Sequence, residues 1–297
     1  AKEGTLSSDP RADERVMATA YARFINKVAA AGKKAYPLPL YANGAQGRPG
    51  KLPGEYPSAG PLAHLADIWT SEAPALDFLA PDIYFPNFGA IAKGYVDAGQ
   101  PLFIPEANYV GEKRIGANSL HAIGRLKAFG YSPFAIESAD EATVKRIGSL
   151  YGMLGSIASL ITEAQARGRI TGFANPVSFE GKVDDSPMVA ELGNVRWTAT
   201  TIVPFTSAEQ TPAEHGALLI WLGGEDFLMA GKGVTFTAEP LAGKGRIGFE
   251  VVEEGRYVDG VWRATRRLNG DQTHQGRHVR IPPDDFGMQK VRIYRYP

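Results

Sequence analysis

The sequence predicts two regions of different class: an α/β region over residues 1–168 and an all-β, sandwich-like region over residues 169–297. Three observations predict this. Apolar runs of strand length alternate with helix-length periodic segments in the first part. Short β-type runs separated by Gly, Pro and Asp fill the second. The length of 297 residues also suits two domains of the usual ~100–200 residues.

The chain opens with a helix. Asp9-Pro10 reads as N-cap and first helical residue, and Val16, Ala20, Phe24 and Val28 recur on one helical face until Gly32 offers a stop. Residues 35–41 (AYPLPLY) are an apolar run of buried-strand length, although two prolines weaken a regular ladder. Residues 44–60 (GAQGRPGKLPGEYPSAG) are rich in Gly and Pro, and a loop of this length inside a compact domain points to an active-site loop. A short helix over 62–71 leads to the strand LDFLAPDIY (76–84), a helix over 89–97 and the strand PLFIP (101–105). Asn118 caps a helix running to Phe129, the run SPFAI (132–136) makes a fourth strand, and residues 139–167 form one long covering helix. Repeated strand–helix alternation argues for parallel strands with crossover helices, in a doubly wound sheet or a barrel.

After Gly168 come eight β-type runs, from VRWTATTIVPF to QKVRIYRY, the pattern of a sandwich. Only four strands precede them, whereas a closed barrel needs eight, and four parallel strands alone leave open edges. The pattern therefore predicts the carboxyl-terminal half of a (β/α)8 TIM barrel. Its other half would come from sequence upstream of Ala1 or from a separate fragment.

Composition removes several function classes. Lys+Arg and Asp+Glu both total 32, so nothing draws the chain to a polyanion, and nucleic acid is not an expected partner. Hydrophobic content of 44% against 22% charged is that of an ordinary globular protein. No apolar stretch approaches the ~20 residues that span a bilayer, and the amino terminus AKEGTLSSDP lacks a signal-peptide core. The absence of cysteine excludes disulfides and thiol chemistry and suits either redox compartment, with a periplasmic or secreted setting favoured over a cytoplasmic one. His64, His121, His215, His274 and His278 have no metal-ligand spacing, and no Gly-rich phosphate loop follows a strand. No metal and no cofactor are therefore expected.

In barrels, catalytic groups sit at the carboxyl ends of the strands. The polar residues there are Asn43, Asp82, Tyr84, Glu106 and Glu137. Glu106, directly after a buried apolar strand in FIPEAN, would face the mouth in a partly desolvated place where its ionisation can be tuned, or else be an ion-paired strand-end glutamate. Asn43 either bonds a ligand or caps the turn before Gly44.

The segments AYPLPLYANG, PGEYPSAGPLAHLADIW, ALDFLAPDIYFPNF, PLFIPEAN and SPFAIES, in that order, resemble the later strands and loops of bacterial β-galactosidase-like proteins related to glycoside hydrolase families 35 and 42. RLNGDQTHQGRHVRIPP is similar to the β-domain that follows the barrel in these proteins, so the resemblance covers nearly the whole chain. It implies a retaining glycosidase acting on a carbohydrate substrate, with Glu106 as nucleophile. The family's acid/base glutamate lies in an Asn-Glu pair, which this chain lacks, so the resemblance places that residue upstream and implies that the chain alone is inactive.

Within that frame Tyr84 would donate a hydrogen bond to Glu106, and Glu137 would accept from a sugar. Trp69, Tyr56 or Phe85 would supply a stacking surface, while Trp197, Trp221 and Trp262 read as β-region core. The β-rich region has three open roles: shaping the pocket rim, self-association into a homo-oligomer, or polysaccharide binding. A reading from another class is a non-catalytic carbohydrate-binding or scaffolding fragment.

Overall fold

The computed structural model describes residues 9–243 and 245–297; the polar segment 1–8 lies outside the described residues. The chain forms two compact units, one of residues 1–108 and 128–134, the other of residues 109–127 and 135–297. The first holds helices and a four-stranded parallel sheet, the second helices and two antiparallel sheets.

In the first unit, helix α1 (Pro10–Ala35) starts at Asp9, whose carboxylate accepts from the Arg11 N–H at 3.0 Å. Its expected apolar face points outward, with Val16 70% and Phe24 65% exposed. The buried side carries Ala18, Ala22 and Ala29 instead. Small side chains let α1 lie close to helix α2 (Ala66–Glu72), and the bridges Arg15–Asp67 (2.6 Å) and Arg23–Glu72 (2.7 Å) clamp the two together.

The strands are β1 (Tyr41–Gly44), β2 (Phe78–Ile83), β3 (Phe103–Tyr109) and β4 (Gly130–Phe134), in the spatial order 1-2-3-4. The first begins at Tyr41 and not at residue 35, because α1 runs on to Ala35 and Pro37 and Pro39 have no N–H for a ladder. Helix α3 (Phe88–Asp97) joins β2 to β3. At the amino-terminal ends of the strands four rings meet: Tyr41 stacks on Phe78 (5.5 Å), Phe103 on Phe129 (5.3 Å), and Phe78 meets Phe129 edge-on at 5.3 Å. Such cross-strand aromatic contacts fix register, and so hold the opposite strand ends in place.

In the second unit, helix α4 (Ile115–Arg125) starts before Asn118 and ends before Phe129. The expected single helix over 139–167 is two, α5 (Glu141–Ser156), capped by Asp140 onto the Thr143 N–H, and α6 (Ala158–Ala166), with the break at Ile157.

The antiparallel strands are β5 (Ile170–Ala174), β6 (Met188–Leu192), β7 (Val195–Thr200), β8 (Gly216–Gly223), β9 (Asp226–Lys232), β10 (Val234–Pro240), β11 (Arg246–Val258), β12 (Val261–Arg267), β13 (Val279–Ile281) and β14 (Gly287–Tyr296). They form the sheets 13-10-7-6 and 12-11-14-9-8-5. Both sheets feed one core around the fully buried Trp197, whose ring meets Phe227 at 4.8 Å.

Helices α4 and α6 pack on β5 and β8 of the larger sheet. Strand β8 is thereby buried on both faces: Ala217 and Leu219 face the inter-sheet core, and Leu218 reaches Gly124 of α4. That explains its unbroken apolar run GALLIWLG. The compact units consequently divide elsewhere than at residue 168, since α4, α5 and α6 group with the β-rich part. Among the described residues no helix is long and apolar enough to cross a membrane.

Candidate active site

At the carboxyl ends of the parallel strands, side chains from three neighbouring strands converge. The alternation of β2 puts Phe78, Ala80, Asp82 and the following Tyr84 on one side. Asp82 lies in register with Glu106 on β3, and Asn43 on β1 donates its amide N–H to Asp82 Oδ2 at 2.8 Å. Glu106 lies within β3, which continues to Tyr109, and not just beyond a strand ending at residue 105. The Tyr84 hydroxyl lies beside the Glu106 carboxylate, and its ring packs edge-on against Phe134 of β4 at 5.9 Å.

The electrostatics follow from that packing. Burial, the neighbouring Glu106 carboxylate and the charge of Asp82 push the Tyr84 phenol well up, so it stays a neutral donor. Burial and the charge of Glu106 raise the Asp82 carboxyl, against the lowering effect of the Asn43 amide. Asp82 Oδ1 is buried with no hydrogen-bond partner. Glu106 is half-buried and has no ion pair among the described residues.

A carboxyl whose folded pKa is raised binds its proton more firmly when folded, so the stability it contributes is complete below its unfolded pKa and is lost as pH rises through the folded value. Asp82→Asn removes the titrating group, so stability is expected to change less between pH 4 and pH 7 than in the parent protein. Urea unfolding of both forms at the two pH values checks this; an equal change in both would contradict it.

Of the other residues singled out in the sequence, Trp69 is not part of this arrangement and Glu137 lies in the other compact unit. Trp69, expected as a stacking platform, is 4% exposed and donates its indole N–H to the Ala59 carbonyl at 3.3 Å, so it is a core side chain of the first unit. Glu137 is exposed in a short 3-10 turn that belongs to the second unit. Asp82, conversely, is the centre of the arrangement, and its signal was the alternation in LDFLAPDIY that places it on the side of Tyr84.

The loop after β1 is ordered by Glu14 of α1, whose carboxylate takes the Tyr56 hydroxyl and the Ala59 N–H, each at 3.1 Å, and pairs with His64 Nε2 at 2.9 Å. Burial alone would push Glu14 up, but these donors together hold it below the usual carboxylate range. Burial and the bond to Glu14 push Tyr56 up to about 12. Tyr56 thus anchors the loop, while Phe85 lies under the Arg48 guanidinium at 5.7 Å. Among the described residues no three of His, Asp or Glu gather as metal ligands.

A family described as "Domain of unknown function (DUF5597)" matches residues 147–280, a span within the second unit that does not include Glu106. A comparison with the curated proteins found no match to the chain.

Proposed function

We propose that this chain carries the nucleophile, Glu106, of a retaining glycoside hydrolase of β-galactosidase type, and that its parallel sheet is the carboxyl-terminal half of a (β/α)8 barrel. The reading rests on one observation: a carboxylate without an ion pair among the described residues stands on an inner strand, in register with Asp82 and beside the hydroxyl of a neutral tyrosine. Strand order supports it, because a barrel needs strictly sequential neighbours whereas a doubly wound sheet reverses at a switch point. The open side of the sheet supports it too. Parallel sheets are ordinarily covered on both faces, yet Tyr41, Phe129 and Phe134 are exposed.

In this mechanism Glu106 attacks the anomeric carbon while a second carboxylic acid protonates the departing glycosidic oxygen. The same group, now a carboxylate, then takes a proton from the water that hydrolyses the glycosyl ester. The two carboxyls must stand about 5–5.5 Å apart. Asp82 is committed to Asn43, so the acid/base is assigned to a segment outside this sequence. Tyr84 orients Glu106, and the Asn43 carbonyl oxygen is left for a hydroxyl of a terminal β-galactoside.

Treating the complete polypeptide with a 2-deoxy-2-fluoro-β-galactosyl fluoride tests this. The expected result is one added sugar mass on the peptide that contains Glu106. A label on another carboxylate would remove Glu106 from the mechanism. No label and no turnover would favour the non-catalytic carbohydrate-binding alternative.

A further inference from the structure

A cavity of about 610 Å³ opens in the first unit, bounded by the start of α1, the loop after β1 and the first turn of α3. That volume lies within the ~300–1,000 Å³ of small-molecule sites. Asn87, on its wall, is three residues beyond Tyr84, so the cavity sits at the same end of the strands as Glu106.

Its charge is one-sided. Arg11, Arg15, Arg48 and Lys51 line it together with one carboxylate, Glu14. Glu14 is engaged by Tyr56, Ala59 and His64, Arg15 by Asp67 at 2.6 Å, and Lys51 by Glu55 at 2.9 Å. Arg11 and Arg48 have no acidic partner among the described residues. Asn87, on the wall, stands at the N-cap of α3 without its side chain capping the helix, and its Oδ1 is closed to solvent.

Two guanidinium groups without an acidic partner ask for a negatively charged ligand, and a cavity of about 610 Å³ has room for a sugar ring that carries the charge. A neutral sugar leaves the guanidiniums unanswered, and a bare inorganic anion leaves most of the cavity unfilled. We propose that this cavity binds an acidic sugar residue, one carrying a carboxylate or sulfate group beside free hydroxyls. The placement of that residue as a neighbour of the sugar cleaved at Glu106 rests on the glycosidase reading, but its binding does not.

Calorimetric titration of the full chain with galacturonate, galactose 6-sulfate, galactose and sodium sulfate tests the assignment. At least one acidic sugar is expected to bind tenfold or more tightly than both galactose and sodium sulfate, and which one does so identifies the charged group. The Arg11→Gln/Arg48→Gln pair, both at exposed positions, is expected to weaken that binding at least tenfold with unchanged circular dichroism. Galactose or sodium sulfate binding as tightly as the acidic sugars, no measurable binding of either acidic sugar, or undiminished binding by the arginine pair would each overturn it. Glu106→Gln is expected to bind the acidic sugar within twofold of the parent chain. Loss of binding in that variant would move the ligand to the strand ends and also overturn the proposal. Absence of hydrolysis or of a glycosyl label, with acidic-sugar binding intact, would count against the glycosidase reading alone.

Discussion

Glu106→Gln in the complete enzyme is expected to lower kcat on an aryl β-galactoside by roughly 10⁴- to 10⁶-fold, the scale of a lost nucleophile. The amide keeps the shape and can still accept the Tyr84 hydroxyl, but it cannot form a glycosyl ester. Folding should be unaffected, since no ion pair to Glu106 exists among the described residues. Turnover alone would not separate a nucleophile from a positioning group. Glu106→Ala with azide does: the small anion should enter the vacated space, attack the anomeric carbon, and restore turnover with a glycosyl azide of inverted configuration. Proton NMR of the product reads that configuration. Substantial activity in the Gln variant, or azide without effect on the Ala variant, would remove Glu106 from the chemistry.

Gly172→Ala is expected to destabilise the second unit by about 3 kcal/mol or more, at the upper end of overpacking costs. A Cβ at Gly172 would collide with the Leu120 carbonyl oxygen of α4 and stand 3.1 Å from the Arg125 nitrogen. From the other side, a Cβ at Gly124 would lie 2.6 Å from the Gly172 nitrogen. These obstacles are backbone, so no rotamer change relieves them, and α4 would have to lift off β5 and give up its packing there. The melting temperature should fall by roughly 6–12 °C for a unit of this size. Gly148→Ala, inside α5 with no atom within 4 Å of the added carbon, is the control and should raise stability by about 0.5–1 kcal/mol. An unchanged melting temperature for Gly172→Ala would mean that α4 does not lie against β5 as described.

Local pattern carried much of this molecule. Alternating runs marked the four parallel strands, punctuation by Gly and Pro marked most of the antiparallel ones, and FIPEAN placed one carboxylate at a strand end. What local pattern reports is period, and period does not say which side of an element meets a neighbour. On α1 the larger apolar side chains drew the eye, yet alanines are buried there, because a helix clamped to α2 by two bridges leaves room only for methyl groups. Nothing in local pattern marks glycines 124 and 172, which the close approach of α4 to β5 requires.

The amino-acid order by itself determined the succession of strands and helices, the change from α/β to β at about residue 168, and the place of Glu106 against the apolar run of the third parallel strand; that it lies within that strand was decided by the structure. Only tertiary structure decided that Asn43 bonds Asp82 across 39 positions of sequence, that Trp69 is interior, and that α4, α5 and α6 group with the β-rich sheets. The physical reason is range. Backbone preference and hydrophobic period act over a few residues, whereas the partner of a side chain depends on which distant segments the packing brings alongside it.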